Sequence, residues 1–468
     1  MKKILLLIPP FSLEKRYGKG LSKVGTLIHP LGIGYIASIL ESEGHEVSIL
    51  DTQVEDMDYE STIKYCLETK PDIIGMYCNT SNYNVVMEIS KEIKKSLNVK
   101  IIVGGPQATI DGKHPLTNES IDYVIFGEAE ETFKELVHAI EENKMDLYGI
   151  DGLSWRNGMI ITNKPRAWIK NLDELPFPAR HLLKLDLYSP SPQHYRELPY
   201  FNMTASRGCP FSCIFCSSGD IWDHKYRLRS ADNVIAEIKL LKEKYSARDI
   251  GFWDDIFGIN PKWIEEFCNK MIEQKINVNW SCEFRVDTAK PDLLKLMKRA
   301  GCWCIFYGIE SLDQDVLDAI NKRVKVQQIL DALKWTKEAG IEIRANFIIG
   351  NPAETPEKFK KVVEEICKLD LDYVKFNVMT PYPGTRLYEE VKQGKWGTMT
   401  EETDKLTNYF TTFKPHGYES LEQIDQLKKW AYRKIYLRPK YIFSRLSEIR
   451  SFTDIKRNVK GALALVKI

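Results

Sequence analysis

Three cysteines, Cys209, Cys213 and Cys216, stand at C-x3-C-x2-C spacing in the stretch Arg207-Gly208-Cys209-Pro210-Phe211-Ser212-Cys213-Ile214-Phe215-Cys216. Thiolates this close together can share one iron-sulfur cluster. Because no fourth cysteine follows at a matching spacing, one iron is left without a protein ligand. An iron with an open position is a place for chemistry. Two blander readings compete: a zinc site, which would want a fourth Cys or His close by, and three ordinary buried cysteines. His224 is the only histidine near the loop.

Composition bounds what surrounds this loop. With 468 residues, 43% hydrophobic and 28% charged, at a formal net charge of +1, the chain can bury two or three cores and reads as a folded multidomain protein. The apolar run Ile4 to Ile8 is stopped by Pro9-Pro10 and is too short for an export signal or a membrane span, so it reads as a first strand. Of ten cysteines three belong to the loop. Cys66, Cys78, Cys268, Cys282, Cys302, Cys304 and Cys367 lie in apolar-periodic segments and are expected in cores, and a reducing cytoplasm is the expected location.

The elements that must position the loop fall into an α/β pattern. Residues 1–150 alternate β-rich runs (Ile4 to Ile8, Val47 to Leu50, Ile73 to Tyr77, Ile101 to Val103, Tyr123 to Phe126) with helical patterns (Leu31 to Glu43, Glu60 to Thr69, Tyr83 to Lys95, Glu130 to Glu141). That alternation predicts an N-terminal doubly wound, Rossmann-like parallel sheet. Ligands of such sheets sit at the carboxyl ends of the strands. There stand Pro10, Asn79, Thr80, Ser81, Gly104, Gly105, Gly127 and Glu128, small or hydrogen-bonding residues that would let a large flat ligand approach the backbone. Glycine and asparagine also close turns for structural reasons alone.

Residues 151–200 predict a hairpin at Gly152 to Gly158 and a proline-stiffened extended linker at Asp173 to Pro178. In residues 201–385 six β/α units follow, with strands near Met203 to Ala205, Asp249 to Trp253, Val278 to Cys282, Cys302 to Tyr307, Glu342 to Ile348 and Tyr373 to Val378. This predicts a partial (β/α)6 TIM-like barrel with chemistry at the strands' carboxyl ends. Thr355 can cap a helix whose first turn holds Pro356 and whose apolar stripe is Phe359, Val362, Val363 and Ile366. Residues 386–468 predict a basic, helical C-terminal region. From Lys428 onward, twelve Lys or Arg face only Glu448 and Asp454, with Trp430, Tyr432, Tyr436, Tyr441 and Phe443 interleaved. Such a run is a solvated face or a patch for a membrane surface or an anionic substrate. Nucleic acid is not expected, since the rest of the chain is acidic and no binding module is recognisable.

The cysteine loop and its setting resemble the radical SAM superfamily, whose C-x3-C-x2-C loop binds a [4Fe-4S] cluster with the open iron chelated by S-adenosylmethionine. His29 to Ala37, Lys70 to Gly75, Val103 to Pro106 and Phe126 to Glu130 resemble the cobalamin-binding domain of B12-dependent members. No D-x-H-x-x-G follows the first strand, so a histidine lower ligand to cobalt is not expected, and His29 reads as a loop residue. The resemblance implies a [4Fe-4S] cluster, S-adenosylmethionine and cobalamin as cofactors, a small-molecule or lipid substrate, and an electron donor such as a flavodoxin or ferredoxin. It also implies methyl transfer to an unactivated carbon through a 5′-deoxyadenosyl radical. Cyclisation or rearrangement, as in the anaerobic magnesium-protoporphyrin ester cyclase, stays open, as does a non-catalytic cobalamin or iron-sulfur sensor. Methylthiotransferase chemistry is disfavoured, because the first domain holds only Cys66 and Cys78.

Within the barrel the resemblance turns the strand ends into expected contacts for S-adenosylmethionine. Asp254 and Asp255 would receive a ribose hydroxyl or an ammonium group, although at least one of them should cap the next turn. Arg285 would pair a carboxylate bidentately, or form an ion pair with Glu283. Glu310 and Ser311 follow the fourth strand. Arg344, within the fifth, needs a partner to be tolerated at an apolar position. Gly350 belongs to a stretch resembling the family's adenine contact. No side chain is singled out as a catalytic acid or base.

Overall fold

The protein is described by a computed structural model covering residues 1–22, 25–400, 402 and 405–447. It has two compact units. One is built on Leu27–Ser189 with Met1–Arg16, the other on Pro190–Glu401 with Tyr17–Thr26 and the described residues from Leu406.

In the first unit β1 (Lys3–Ile8), β2 (Glu46–Asp51), β3 (Ile73–Tyr77), β4 (Lys100–Gly104) and β5 (Tyr123–Ile125) form the parallel sheet that the alternation predicts. The run Ile4 to Ile8 is apolar without a break because both faces of its strand are covered. Ile4, Leu6 and Ile8 enter one core with Ile33, Leu40 and Phe133, while Leu5 and Leu7 enter the other with Cys66, Val86 and Ile89. The hairpin expected at the start of the linker instead extends this sheet. β6 (Leu153–Asn157) pairs antiparallel with β5, and β7 (Met159–Thr162) with β6, giving the order β2-β1-β3-β4-β5-β6-β7. The proline-stiffened segment packs back on the same unit. Ala179 N–H donates to Gly34 O at 2.9 Å, and a Cβ on Gly34 would lie 2.9 Å from Pro178 Cβ. Gly34 therefore serves close packing of the linker.

The second unit contains β8 (Tyr200–Met203), the short antiparallel pair β9 (Ser206–Arg207) and β10 (Arg227–Leu228), then β11 (Asp249–Phe252), β12 (Asn279–Phe284), β13 (Cys302–Glu310), β14 (Glu342–Ile349) and β15 (Tyr373–Val378). The large sheet runs β15-β14-β13-β12-β11-β8, and every neighbouring pair is parallel. That is the partial six-stranded barrel, with helices such as Ala231–Tyr245, Pro261–Glu273 and Pro356–Lys368 between strands. The Thr355 hydroxyl caps the last of these, accepting from Lys358 N at 3.3 Å. The first strand ends where it is expected to begin. Beyond Met203 the backbone is claimed by side chains: Arg229 Nη1 donates to Thr204 O at 2.7 Å, and Ala205 N–H donates to Asp254 Oδ1 at 3.0 Å.

The C-terminal region is not purely helical, because β16 (Gly397–Met399) and β17 (Phe413–Pro415) form an antiparallel pair before the helices Leu421–Tyr436 and Pro439–Ser447. The aromatic residues of those helices have a structural task. Tyr436 OH accepts from Val374 N at 2.8 Å, Tyr432 OH accepts from Phe376 N at 3.0 Å, and Tyr441 OH donates to Asp372 O at 2.8 Å. These hydroxyls satisfy the open edge at β15, which would otherwise present unpaired backbone groups. The basic stretch at 448–468 lies outside the described residues. Among the described residues no helix is long and apolar enough to cross a membrane.

Candidate active site

At the carboxyl ends of the second unit's strands lies a cavity of about 390 Å³, and Cys209, Cys213 and Cys216 line it together with Asp255, Glu283 and Lys322. The cysteine loop is held at both ends and in its middle. Gly208 adopts φ +86°, and a Cβ there would fall 2.0 Å from Lys225 O, so only glycine permits the bend into Cys209. Asn321 Nδ2 donates to Ser212 O at 2.7 Å, Ile214 N–H donates to Ile320 O at 3.1 Å, and Leu387 N–H donates to Ile214 O at 2.8 Å. The three thiols are half-buried, and burial pushes Cys216 up to about 12, so it carries its proton until a metal displaces it. Among the described residues no three His, Cys, Asp or Glu side chains converge on one ion. The zinc reading gains nothing further from His224, which is exposed with its Nδ1 3.2 Å from Phe211 O. Three thiols around one cavity are a donor set that fits a cluster of several irons.

The two adjacent aspartates part company. Asp254 is buried, accepts from Ala205 N–H and from the Ser206 hydroxyl, and is pushed up to about 7 by burial. It clamps the chain entering the cysteine loop. Asp255 is exposed to the cavity. Arg285 does not pair with Glu283. Its Nε and Nη2 grip Asp287 at 2.9 and 2.8 Å, and its guanidinium stacks 3.6 Å from the centre of the Phe211 ring, so it braces the loop from the cavity wall. Glu310 lines the cavity in a buried ion pair with Lys322 Nζ at 2.8 Å.

Ser311, Arg344 and Gly350 do not line this cavity. Ser311 Oγ accepts from Asp313 N at 3.1 Å, at the entry to the next helix. Gly350 N–H donates to Glu354 Oε1 at 2.7 Å in a turn also held by Tyr418 OH and Asn351. Arg344 lies deeper on β14. Sequence reasoning passed over Lys322, Asn346, Asn377 and Asn408, which do line the cavity. Lys322 sits in the polar run Asn321-Lys322-Arg323 just after Ile320, and that break in the apolar period was the available signal. Burial pulls Lys322 down, but Glu310 and the Cys213 thiol outweigh this and leave it raised.

Glu283 lies half-buried in the cavity. Burial raises its carboxyl to about 7, against the opposing pull of Arg344 and Lys375. A carboxyl raised above its unfolded value binds its proton more readily in the native state, so it makes the fold less stable as pH climbs from the ordinary glutamate range through 7. Replacing it by the neutral isostere, Glu283→Gln, is therefore expected to raise Tm relative to the parent by an amount that grows from pH 5 to pH 7 and levels off above. A pH-independent difference between the two melting curves would contradict this.

The first unit carries its own candidate site. Strand order reverses between β1 and β3, and in doubly wound sheets that switch point receives the ligand. Pro10 and the half-buried Asn79, Thr80 and Ser81 stand at those two strand ends. The loop is pre-formed: Asn79 N–H donates to Asn82 Oδ1 at 2.8 Å, Asn82 N–H returns to Asn79 Oδ1 at 3.0 Å, and Thr80 Oγ1 donates to Gln107 Oε1 at 2.9 Å. Gly105 has φ +115°, and a Cβ would meet Cys78 O at 2.7 Å, so glycine keeps Gly104-Gly105 against the β3 end. These features fit a broad ligand lying on the backbone. Gly127 N–H donates to Thr109 Oγ1 at 3.1 Å. Glu128 is buried and accepts from Ile169 N at 2.8 Å, which ties the linker down.

Residues 19–137 match the family model of the B12 binding domain, and residues 203–366 match that of the Radical SAM superfamily. The chain is 36% identical, over 98% of its length and 98% of the relative's, to an uncharacterized methyltransferase of Pyrococcus horikoshii. It is 26% identical to the anaerobic magnesium-protoporphyrin IX monomethyl ester cyclase of Rubrivivax gelatinosus, over 94% of this chain and 80% of that one. The radical S-adenosylmethionine methyltransferase TsrM from Kitasatospora setae, solved with cobalamin and a [4Fe-4S] cluster bound, has the same fold. Its TM-score is 0.72 at 15% identity, covering 100% of this chain and 99% of that one.

Proposed function

The chain belongs to the radical SAM enzymes that carry a B12-binding domain, and from that premise we propose that it methylates an unactivated carbon of a small-molecule substrate. Its cofactors are a [4Fe-4S] cluster, S-adenosylmethionine and cobalamin. The observation that carries the proposal is the single cavity in which three thiols meet Asp255, Glu283 and Lys322 above a parallel sheet.

Cys209, Cys213 and Cys216 would hold three irons of the cluster. Asp255, the accessible aspartate, would receive the ammonium group of S-adenosylmethionine, and Lys322 would place positive charge near its carboxylate. Pro10, Thr80, Ser81, Gly104 and Gly105 would hold cobalamin in the first unit. When bound, the cluster with an electron and S-adenosylmethionine supplies a 5′-deoxyadenosyl radical, and cobalamin supplies a carrier for the methyl group. The residues of this chain orient and enclose: Arg285 and Phe211 fix the cysteine loop, the Glu310–Lys322 pair stiffens the cavity wall, and Glu283, near neutrality, can take or return a proton at the substrate. A flavodoxin or ferredoxin is the expected electron donor, and a cytoplasmic setting is part of the same reading. Membrane contact through the basic end rests only on the charge of that segment; its test is salt-sensitive binding to anionic vesicles.

The deciding experiment is anaerobic reconstitution with iron, sulfide and hydroxocobalamin, followed by desalting and a reduced assay with S-adenosylmethionine. Methyl transfer requires retained cobalamin and the formation of both 5′-deoxyadenosine and S-adenosylhomocysteine. Deoxyadenosine without S-adenosylhomocysteine would replace methylation by cyclisation or rearrangement, the reading that the cyclase relative favours. No cleavage of S-adenosylmethionine would leave a sensor.

A further inference from the structure

Taking the cavity to be a radical SAM site, we infer that an anionic group of the substrate, a carboxylate or a phosphate, reaches past the Asn346 lining to bind Arg344 in the barrel interior below. Side chains alternate between the faces of a strand, so Arg344 shares a face of β14 with Asn346 and Ile348, which line the cavity, and lies one pleat further from the carboxyl edge. Register aligns it with its neighbours: Glu283 lies opposite Phe306, and Phe306 opposite Arg344, while Asn346 lies opposite Lys375. The guanidinium rests 4.7 Å from the centre of the Phe306 ring. Lys375 Nζ stands 2.9 Å from Tyr409 OH.

Arg344 is only 4% exposed, yet its Nε and Nη1 are buried with no hydrogen-bond partner, and the Oδ1 of Asn346 directly above is buried without one as well. Burying a permanent cation with open donors is costly, and such a group calls for a ligand that completes it. The planar fork of arginine matches the paired oxygens of a carboxylate or phosphate, which sets the chemistry of that ligand. Two carboxylates share this face, Glu342 two residues earlier on β14 and Glu283 two strands away in register, and no hydrogen bond joins Glu283 to Arg344. His194 and Tyr200 also face this interior: the His194 ring lies 5.7 Å from Phe306, and its Nδ1 lies 3.0 Å from Thr26 Oγ1. The barrel interior thus offers two cations on the adjacent strands β14 and β15, one pleat below the Asn346 and Asn377 lining, where a substrate anion would hold the reacting carbon toward the cavity. In the proposed reading S-adenosylmethionine would find its own partners in the cavity lining, at Asp255 and Lys322.

The test uses the full chain loaded anaerobically with its cluster, titrated calorimetrically with inorganic phosphate, acetate and S-adenosylmethionine. Saturable binding of phosphate or acetate is expected, and the tighter of the two identifies the oxyanion. Arg344→Gln should weaken that probe at least about tenfold, Arg344→Lys less, and Asn346→Asp should abolish it by setting a negative charge beside the guanidinium. S-adenosylmethionine affinity should change by less than about threefold across these variants. Arg344→Lys carries the test if Arg344→Gln does not fold. The inference fails if wild type binds neither probe, if the variants bind as wild type does, or if S-adenosylmethionine affinity falls in parallel, which would assign Arg344 to the cosubstrate. Formation of 5′-deoxyadenosine by the wild-type enzyme separately tests the radical SAM reading, so the two can fail independently.

Discussion

Replacement of any one of Cys209, Cys213 and Cys216 by alanine is expected to abolish the visible absorbance of the reconstituted protein. Formation of 5′-deoxyadenosine should slow by at least about 10³-fold, or about 4 kcal/mol of barrier. The loop offers no substitute ligand: His224 is exposed with its Nδ1 at a backbone carbonyl, and the cavity is lined by only these three thiols. Two controls separate ligation from packing. Cys282 and Cys304 are fully buried in β12 and β13, away from the cavity lining. Their alanine variants should lose some stability yet keep the iron and the absorbance. If a loop variant retained iron at the wild-type ratio, or if Cys282→Ala lost it, the assignment of the cluster to this loop would be wrong.

The second large effect is on stability, at the junction that launches the cysteine loop. Glu237 carries 0% side-chain exposure and Arg229 4%, and their charged groups meet at 2.5 Å. Arg229 also donates to Thr204 O at 2.7 Å and to Asn233 Oδ1 at 2.7 Å, while its own N–H reaches Ala205 O at 2.9 Å. Glu237→Ala leaves this guanidinium buried and uncompensated, which is expected to cost about 3–5 kcal/mol and to lower Tm by roughly 10 °C for a unit of this size. The double variant Arg229→Met, Glu237→Leu removes both charges and should recover most of the loss in thermal unfolding. Equal destabilisation in single and double variants would mean that the backbone contacts of Arg229, not the pairing of charges, hold the junction.

Much of the architecture could be read from local pattern. The unbroken run Ile4 to Ile8 announced a strand covered on both faces, and both cores claim its residues in alternation. Thr355 and Pro356 announced a helix start that the structure realises with a hydrogen bond to Lys358 N. Site residues were less legible, for a reason visible at Asp254 and Asp255. Neighbours in sequence and identical in type, they lie just past the end of β11, and the turn of the chain there buries one against the start of the cysteine loop and leaves the other facing the cavity. The Asp254 carboxyl meets Ala205 and Ser206, which lie about fifty positions away in the chain. Arg285 likewise had two plausible partners by sequence and takes a third, Asp287, while stacking on Phe211.

The sequence by itself determined the cysteine spacing and the alternation of strands and helices in both units, because these depend on residues within a few positions of one another. Tertiary structure alone decided which polar residues reach the cavity. It brought Lys322 to Glu310 beside the cysteine loop and set Arg344 against Phe306. It also turned the tyrosines of a basic helix, which read as part of a solvated face or of a patch for a membrane surface or an anionic substrate, into hydrogen-bond partners for the backbone at β15. A side chain's partners are set by strand register and by helices returning from far along the chain, and local periodicity carries no record of either.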